Sequence, residues 1–289
     1  MYIQTLTVAA AIGLSGLAIS AHNTLTKGSP SSNFDVASYT DPGAKILSPE
    51  QPASQLILDR GRKMFLVSCA PCHGADGSGN GPIAANLRSK PRDLTRGIYM
   101  NRSTASGQLP TDYDLYRTIT TGLHNTAMPS FRQMAPGDRW AIVQYIKTFS
   151  PRFTDSTEYP IDVINVGTEV LPSPQSLARG RALYLQMQCT SCHGIRGQGD
   201  GPAAGTLTDD FRNQIWPTDL TNPSDFKFGR SVLDIFRIFS TGLNGTPMPS
   251  FAETLSDTDR WHLANYVWSL QNTDQFQDGT AADSLAAFR

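Results

Sequence analysis

The same five-residue pattern occurs once in each half of this 289-residue chain. The first copy reads Cys69-Ala-Pro-Cys72-His73 and the second reads Cys189-Thr-Ser-Cys192-His193. These motifs contain all 4 cysteines of the sequence, which are too few for a disulfide scaffold. Each half must therefore fold so that two thiols and one imidazole lie together.

The two motifs belong to a longer internal repeat. Gly79-Asn80-Gly81-Pro82 corresponds to Gly199-Asp200-Gly201-Pro202, and Met128-Pro129-Ser130-Phe131 corresponds to Met248-Pro249-Ser250-Phe251. The matched positions are 120 residues apart at the cysteines and again at the Met-Pro segments. A repeat of this kind predicts two copies of one domain in tandem, which we place at residues 51–153 and 174–271.

The pattern C-x-x-C-H is the attachment signature of c-type haem. Each thiol adds across one vinyl group of the porphyrin, and the following imidazole can bind the iron as proximal ligand. A zinc site needs four ligands where each motif offers three, and a redox dithiol would not require the histidine. The sequence therefore predicts two covalently attached haem c groups, held by Cys69, Cys72 and His73 and by Cys189, Cys192 and His193.

The second axial ligand of each iron decides between electron transfer and catalysis. Of the 7 methionines, Met128 and Met248 are the pair in equivalent repeat positions, each 55 residues after its histidine. The proline that follows each of them favours an extended loop over a helix. Ligation by Met and His would fill both axial positions and raise the reduction potential. His124 could compete with Met128, but its counterpart in the second half is Asn244.

On these residues the sequence resembles the class I c-type cytochromes, in a tandem dihaem arrangement. The resemblance covers about two-thirds of the chain and implies a mainly α fold with two cytochrome c domains. In that family the N-terminal and C-terminal helices of a domain cross at a glycine–aromatic contact. Gly61 and Gly180 match the glycine of this contact, and Tyr145 and Tyr266 match the aromatic residue.

The resemblance also implies contacts around each haem. The carbonyls of Pro82 and Pro202 are expected to accept the second ring proton of the proximal histidines, which would fix the orientation of the imidazoles. Arg117 and Arg237 are matched basic residues near the Met-Pro segments. They either pair with haem propionates, since an arginine fork suits a carboxylate, or belong to a solvated helix face.

The remaining segments are assigned from composition. Residues 2–21 carry no charge and are long enough, as a helix, to span a bilayer core. The absence of a positive n-region favours a retained transmembrane anchor at 1–21 over a signal peptide, although an uncleaved signal is the alternative. Residues 22–50 are interpreted as a tether, 154–173 as a linker and 272–289 as a C-terminal tail.

The net charge of −1 gives no support for nucleic-acid binding. The net charge conceals a difference between the domains. Residues 51–153 carry 13 basic and 6 acidic side chains, whereas residues 174–271 carry 8 basic and 9 acidic side chains. We therefore expect redox protein partners to dock on the basic first domain, since complementary fields accelerate encounter. The N-terminal helix is expected to contact subunits of a membrane complex.

These features predict an electron carrier rather than an enzyme. Iron would change its oxidation state while both axial ligands stay bound. We expect a subunit of a respiratory or photosynthetic complex in the bacterial cytoplasmic membrane, with the haem domains on the periplasmic side. The alternative is a dihaem cytochrome c peroxidase, which also has two C-x-x-C-H motifs but needs an iron with an open position.

Overall fold

The structure, a computed structural model, describes residues 53–159 and 161–271. The predicted anchor at 1–21, the tether at 22–50 and the tail at 272–289 lie outside the described residues. Within these residues the chain is mainly helical, and extended pairing is limited to two isolated bridges. No helix in this part of the chain combines the length and the apolar character that crossing a membrane requires.

In the residues that the structure describes, each half contains four α-helices in the same order. Domain 1 has α1 (Gln55–Ser68), α2 (Ala70–His73), α3 (Asp112–Thr121) and α4 (Pro136–Lys147). Domain 2 has α5 (Pro174–Gln186), α6 (Thr190–His193), α7 (Val232–Thr241) and α8 (Asp257–Leu270). Short 3₁₀ turns lie at Ala84–Asn86, Leu94–Arg96, Pro151–Thr154, Ser156–Glu158, Ala204–Thr206 and Pro223–Asp225. The tandem arrangement predicted from the repeat and the mainly α fold implied by the resemblance are therefore confirmed.

In domain 1, α1 crosses α4 at a glycine. A Cβ atom on Gly61 would lie 2.1 Å from the carbonyl oxygen of Ala141, so no side chain fits between the two helices here. Next to this contact, the ring of Phe65 meets the ring of Tyr145 edge-on, with centroids 5.5 Å apart. The predicted glycine–aromatic contact is confirmed.

Domain 2 repeats this crossing between α5 and α8. A Cβ atom on Gly180 would lie 2.1 Å from the carbonyl oxygen of His262. Tyr184 and Tyr266 meet edge-on at 5.5 Å. The start of α8 is fixed by Ser256, whose side chain accepts a hydrogen bond from the Asp259 N–H and so caps the helix.

The helix before each Met-Pro segment packs on the C-terminal helix through stacked aromatic rings. Tyr116 stacks on Trp140 at 4.4 Å in domain 1, and Phe236 stacks on Trp261 at 4.2 Å in domain 2. Both helices begin with a capping box, in which a Thr or Ser hydroxyl and the Asp three residues later exchange hydrogen bonds. These caps fix where α3 and α7 start, and therefore where the Met-Pro loops that follow them begin.

The segment predicted as a linker packs along both domains. On the domain 1 side, Val163 pairs with Thr104 in an isolated antiparallel bridge. On the domain 2 side, the carbonyl of Val166 accepts from Trp261 Nε1 at 2.9 Å, and the carbonyl of Val170 accepts from an Asn265 amide at 2.8 Å. The connection is therefore an extended segment that contacts both domains.

The two domains contact each other through α3 and α7. Arg117 of domain 1 forms an ion pair of 2.6 Å with Asp234 of domain 2, and Arg237 lies 3.2 Å from the same carboxylate. The arginine side chains are only 15% and 8% exposed. The interpretation of these two arginines as a solvated helix face is therefore wrong, because the packing of the domains buries them.

Candidate functional site

Each C-x-x-C-H motif forms one helical turn directly after the first long helix of its domain. The His73 N–H donates to the Cys69 carbonyl at 2.9 Å, and the His193 N–H donates to the Cys189 carbonyl at 2.8 Å. This turn places the two cysteines and the histidine of each motif on one short stretch of backbone. All four cysteines are free thiols and half-buried.

Burial keeps the first thiol of each motif neutral. It raises the pKa of Cys69 to about 12, with a smaller contribution from the neighbouring Cys72, and raises the pKa of Cys189 to about 11. Zinc sites and redox dithiols rely on thiolates with a lowered pKa. Cys69 and Cys189 are therefore not activated as the attacking thiol of a redox dithiol would be.

The proximal histidines are oriented by carbonyls that the sequence analysis missed. His73 Nδ1 donates to the carbonyl of Arg92 at 3.0 Å, and His193 Nδ1 donates to the carbonyl of Thr218 at 3.0 Å. The expectation that Pro82 and Pro202 supply these carbonyls is therefore wrong. A proline precedes each true acceptor, but this matched pair stands 126 residues apart instead of 120, which hid the correspondence.

The turn that contains Pro82 has another task. The Gly81 N–H donates to the Cys72 carbonyl at 3.0 Å, and a Cβ atom on Gly81 would lie 2.4 Å from the carbonyl oxygen of Pro71. Domain 2 repeats the contact, since the Gly201 N–H donates to the Cys192 carbonyl at 3.1 Å. The Gly-Pro turn thus supports the backbone of the motif rather than the imidazole.

The histidine rings are arranged to present Nε2 as a base. Burial lowers the pKa of both His73 and His193, so the imidazoles are neutral at neutral pH. Because Nδ1 carries the proton that the backbone carbonyl accepts, the lone pair lies on Nε2. A neutral imidazole fixed in this way is the ligand that iron requires.

The Met128 loop is fixed by hydrogen bonds on both sides of the methionine. The Met128 N–H donates to Thr126 Oγ1 at 3.1 Å, and its carbonyl accepts from the Leu123 N–H at 3.1 Å. The Ser130 hydroxyl donates to the carbonyl of Thr120, near the end of α3, at 2.7 Å. The half-buried Met128 therefore sits on a loop that is tied to the helix before it.

The Met248 loop has the same set of bonds. The Met248 N–H donates to Thr246 Oγ1 at 3.2 Å, its carbonyl accepts from the Leu243 N–H at 3.0 Å, and the Ser250 hydroxyl donates to Ser240 at 2.7 Å. Met248 and Cys189 both border the buried hydrophobic cluster of domain 2. By contrast, His124 is exposed, which gives it no advantage over Met128 as a ligand.

The donor groups of each half fit a covalently attached haem. Two thiols are spaced for the vinyl groups, one neutral imidazole offers Nε2, and one thioether stands on a tied loop. In the two described stretches no group of three or more His, Cys, Asp or Glu side chains could hold a metal ion by itself.

The profile of the cytochrome c family matches the chain twice, over residues 58–150 and 177–271. Together these matches cover more than half of the chain, so this protein belongs to the cytochrome c family, with two family domains in tandem. This membership confirms the tandem cytochrome prediction. Cytochrome c domains with CXXC motifs imply covalent haem c and electron transfer.

Particular relatives come from two bacteria. The Cbb3-type cytochrome c oxidase subunit CcoP is represented by two sequences, from Helicobacter pylori (strain 52) and Helicobacter pylori, each 26% identical over 218 residues and 74% of this chain. The match spans 59% of the length of those subunits. A chain of the Kuenenia stuttgartiensis reducing HAO-like protein complex is 41% identical, with a TM-score of 0.69, and the match covers 73% of this chain and 96% of that one.

Proposed function

We propose that this protein carries single electrons between redox proteins through two haem c groups. The observation that carries the proposal is the identity of the two methionine loops, which hold Met128 and Met248 with the same three kinds of hydrogen bond. A protein that relays electrons needs both iron positions filled in both halves. Two equally tied methionines supply that.

The axial ligands would be His73 with Met128 in domain 1 and His193 with Met248 in domain 2. When bound, haem supplies a one-electron couple. The histidines would hold the iron through Nε2, because backbone carbonyls accept the protons on their Nδ1 atoms. Met128 and Met248 would favour the reduced state, since a thioether is a weak donor to oxidised iron.

The same loops argue against a dihaem peroxidase. That chemistry needs one iron with an exchangeable position, and so one half whose methionine loop differs or is free to move. Both loops are tied at three points, and both are joined to the helix before them by a serine hydroxyl. Electron transfer is therefore the function that both halves serve.

The setting of the carrier is inferred from its relatives. One group of relatives is named as a subunit of an oxidase, and the solved relative is named as part of an HAO-like complex. We propose that this chain is likewise a subunit of a redox complex, respiratory rather than photosynthetic, on the periplasmic side of the bacterial cytoplasmic membrane. Residues 1–21 would serve as its anchor.

We propose that redox partners dock on a basic surface of domain 1. This surface is smaller than the net charge of the domain suggests, because some of its arginines face domain 2. Arg88, Arg92 and Arg96 lie over aromatic rings of domain 2, at 5.7, 5.1 and 5.5 Å from the ring centroids. Their charge is therefore directed toward the other domain. The exposed residues Arg62 and Lys63 on α1 remain available to an acidic partner.

Spectroscopy of the full chain tests the ligand assignment. We expect haem analysis to give two haems per chain, both low-spin in the oxidised and the half-reduced protein. Each should show the near-infrared sulfur-to-iron charge-transfer band of Met ligation. A high-spin haem in either state would contradict the electron-carrier proposal and favour the peroxidase.

A further inference from the structure

A buried arginine of domain 1 reaches into domain 2. Arg102 is 2% exposed and lies in the segment between the 3₁₀ turn Leu94–Arg96 and α3. Its Nη2 donates to the carbonyl of Thr241 at 2.5 Å, and its Nη1 lies 3.4 Å from the carbonyl of Gly242. These carbonyls end α7, where a cation is favoured by the helix dipole.

Arg102 is held by carbonyls rather than by an ion pair. Its remaining contacts are the carbonyl of Ala105 at 3.3 Å from Nε and the carbonyl of Tyr99 at 3.4 Å from Nη1. The carboxylate that acts electrostatically on Arg102 is that of Asp114. Its Oδ2 accepts hydrogen bonds from the N–H and from the hydroxyl of Ser103, each at 3.0 Å. Burial lowers the pKa of Arg102 to about 10, so the side chain stays protonated at neutral pH.

The carbonyls that Arg102 binds lead directly into the Met248 loop. A Cβ atom on Gly242 would lie 2.6 Å from the backbone nitrogen of Ser250, so the loop closes tightly on the end of α7. The next residue, Leu243, donates to the Met248 carbonyl. Arg102 is therefore separated from the backbone of Met248 by one closely packed turn.

The same domain 1 segment also holds the tip of that loop. The Gly107 N–H donates to the Asn244 side-chain oxygen at 3.0 Å, and the Asn244 amide donates to the carbonyl of Gln108 at 3.4 Å. Domain 1 thus binds the Met248 loop at two points. Arg102 binds the base of the loop, and Gly107 and Gln108 bind Asn244 at its tip.

The Met128 loop receives a different contact from domain 2. The Asn125 amide donates to the carboxylate of Asp225 at 2.8 Å, at an exposed position. The segment that carries Arg102 is also longer than its counterpart, since 16 residues separate Leu94 from Thr111 and 10 separate Leu220 from Ser231. From the facing domain, one methionine loop therefore receives a buried cation, and the other receives an exposed carboxylate.

The charges act in opposite directions on the two haems. An oxidised haem carries one more positive charge than a reduced one, so a buried cation nearby favours the reduced state and raises the potential. A carboxylate lowers the potential, but an exposed one is screened by salt. Arg92 is a half-buried cation beside His73, but the carboxylates of Asp209 and Asp210 oppose its charge. The larger effect is therefore that of Arg102 on domain 2, where Asp114 is the one carboxylate among the described residues that acts on the cation.

We propose that Arg102 is a positioning residue that domain 1 supplies to the second haem site. It fixes the loop that carries Met248 and sets the potential of the second haem above that of the first, so that electrons pass from domain 1 to domain 2. This inference rests on the proposed function, because it takes Met248 as the axial ligand.

Redox titration of the full holoprotein tests the inference. The wild type should show two one-electron waves, and Met128→His assigns them by lowering the wave of the first haem. Arg102→Gln should lower the higher wave by about 59 mV, a tenfold change in the ratio of reduced to oxidised haem, and leave the lower wave in place. Arg230→Gln, a change of the same net charge at an exposed position of domain 2, should move neither wave.

Arg102→Lys keeps a cation but cannot bind four carbonyls, so it should lower the same wave by a smaller amount. If Arg102→Gln does not fold, Arg102→Lys still tests whether Arg102 sets the potential of the second haem. An unchanged higher wave in Arg102→Lys would then overturn the inference. Equal shifts of both waves in Arg102→Gln would also overturn it. If Met248→His leaves both waves unchanged, the ligand assignment itself is wrong, which is a separate outcome.

Discussion

Domain 1 and domain 2 bind their histidines and methionines with matching hydrogen bonds, and they differ in the segments between those residues. Domain 2 has a longer segment before Leu220, which contains the bridge between Thr208 and Gln214 and carries Phe211 under Arg92 of domain 1. Domain 1 has a longer segment after Leu94, which carries Arg102. The two insertions thus lie where one domain meets the other.

This comparison shows that the repeated residues form two similar sites. The segments that differ between the domains form the contacts that join those sites. Arg92 illustrates the link, because its carbonyl accepts from His73 while its guanidinium lies 5.1 Å from the ring centroid of Phe211. A residue that orients the proximal histidine of one domain therefore also contacts the other domain. The structural basis for unequal haems is the interface rather than the ligand sets.

The largest effect is expected when the thiols of one motif are removed. Cys69→Ala with Cys72→Ala should halve the haem content and unfold domain 1, because the macrocycle would form most of that domain's core. The matched pair Cys189→Ala with Cys192→Ala should do the same to domain 2. Haem analysis and far-UV circular dichroism measure both results, and a domain that stays folded without haem would contradict the equivalence of the sites.

Replacing either methionine with histidine should change the potential of its own haem. Met128→His and Met248→His should each lower one wave, on the order of 0.1–0.3 V out of the roughly 0.8 V that axial ligands span. Covalent attachment should remain intact. Met100→His is the matched control, and redox titration should find its two potentials unchanged. Unchanged potentials in Met128→His or Met248→His would show that the methionine concerned is not a ligand.

The helix crossings should respond equally in the two domains. Gly61→Ala and Gly180→Ala each place a Cβ atom 2.1 Å from a carbonyl oxygen of the facing helix, so the helices must separate. We expect each variant to lower the free energy of unfolding by about 3 kcal/mol. Gly205→Ala, where a Cβ atom meets nothing within 4 Å, is the control. Thermal denaturation of the holoproteins compares the three, and a large difference between the first two would break the equivalence of the crossings.

The parts of the structure that the sequence predicted are those that repeat. The helix crossings at Gly61 and Gly180 follow from the family resemblance in each half, and the structure confirms both. The acceptor for His73 was missed because the prolines before the true carbonyls fall outside the constant offset of 120 residues. The sequence identifies the segment around Val166 only as a linker, because an extended segment that is bound by side chains has no periodic pattern in its sequence.

Contacts between the domains could not be predicted at all from one sequence. Arg117 has a matched partner in Arg237, which suggested that the two arginines have equivalent surroundings. Both instead approach the single carboxylate of Asp234, because α3 and α7 meet there. Sequence patterns describe each domain separately, and they contain no information about which faces of two similar domains will pack together.

The ion pair between the domains gives the smallest effect. Arg117→Gln removes the contact with Asp234 but leaves Arg237 at 3.2 Å from that carboxylate, so the half-buried charge keeps a partner. We therefore expect a loss of about 1–2 kcal/mol in the free energy of unfolding, less than for an isolated buried pair. Arg60→Gln breaks a pair with Asp138 inside domain 1 at a 55% exposed side chain, and should cost less than Arg117→Gln because solvent screens the exposed pair.

Denaturation at low and high salt separates these two ion pairs. The Arg60 contribution should disappear at high salt because both of its charges are accessible to counterions, whereas the Arg117 contribution should persist between the packed helices. If Arg117→Gln costs no more than Arg60→Gln at every salt concentration, the contact between α3 and α7 does not stabilise the molecule. Other contacts would then hold the two domains together, such as those that Arg102 makes with the end of α7.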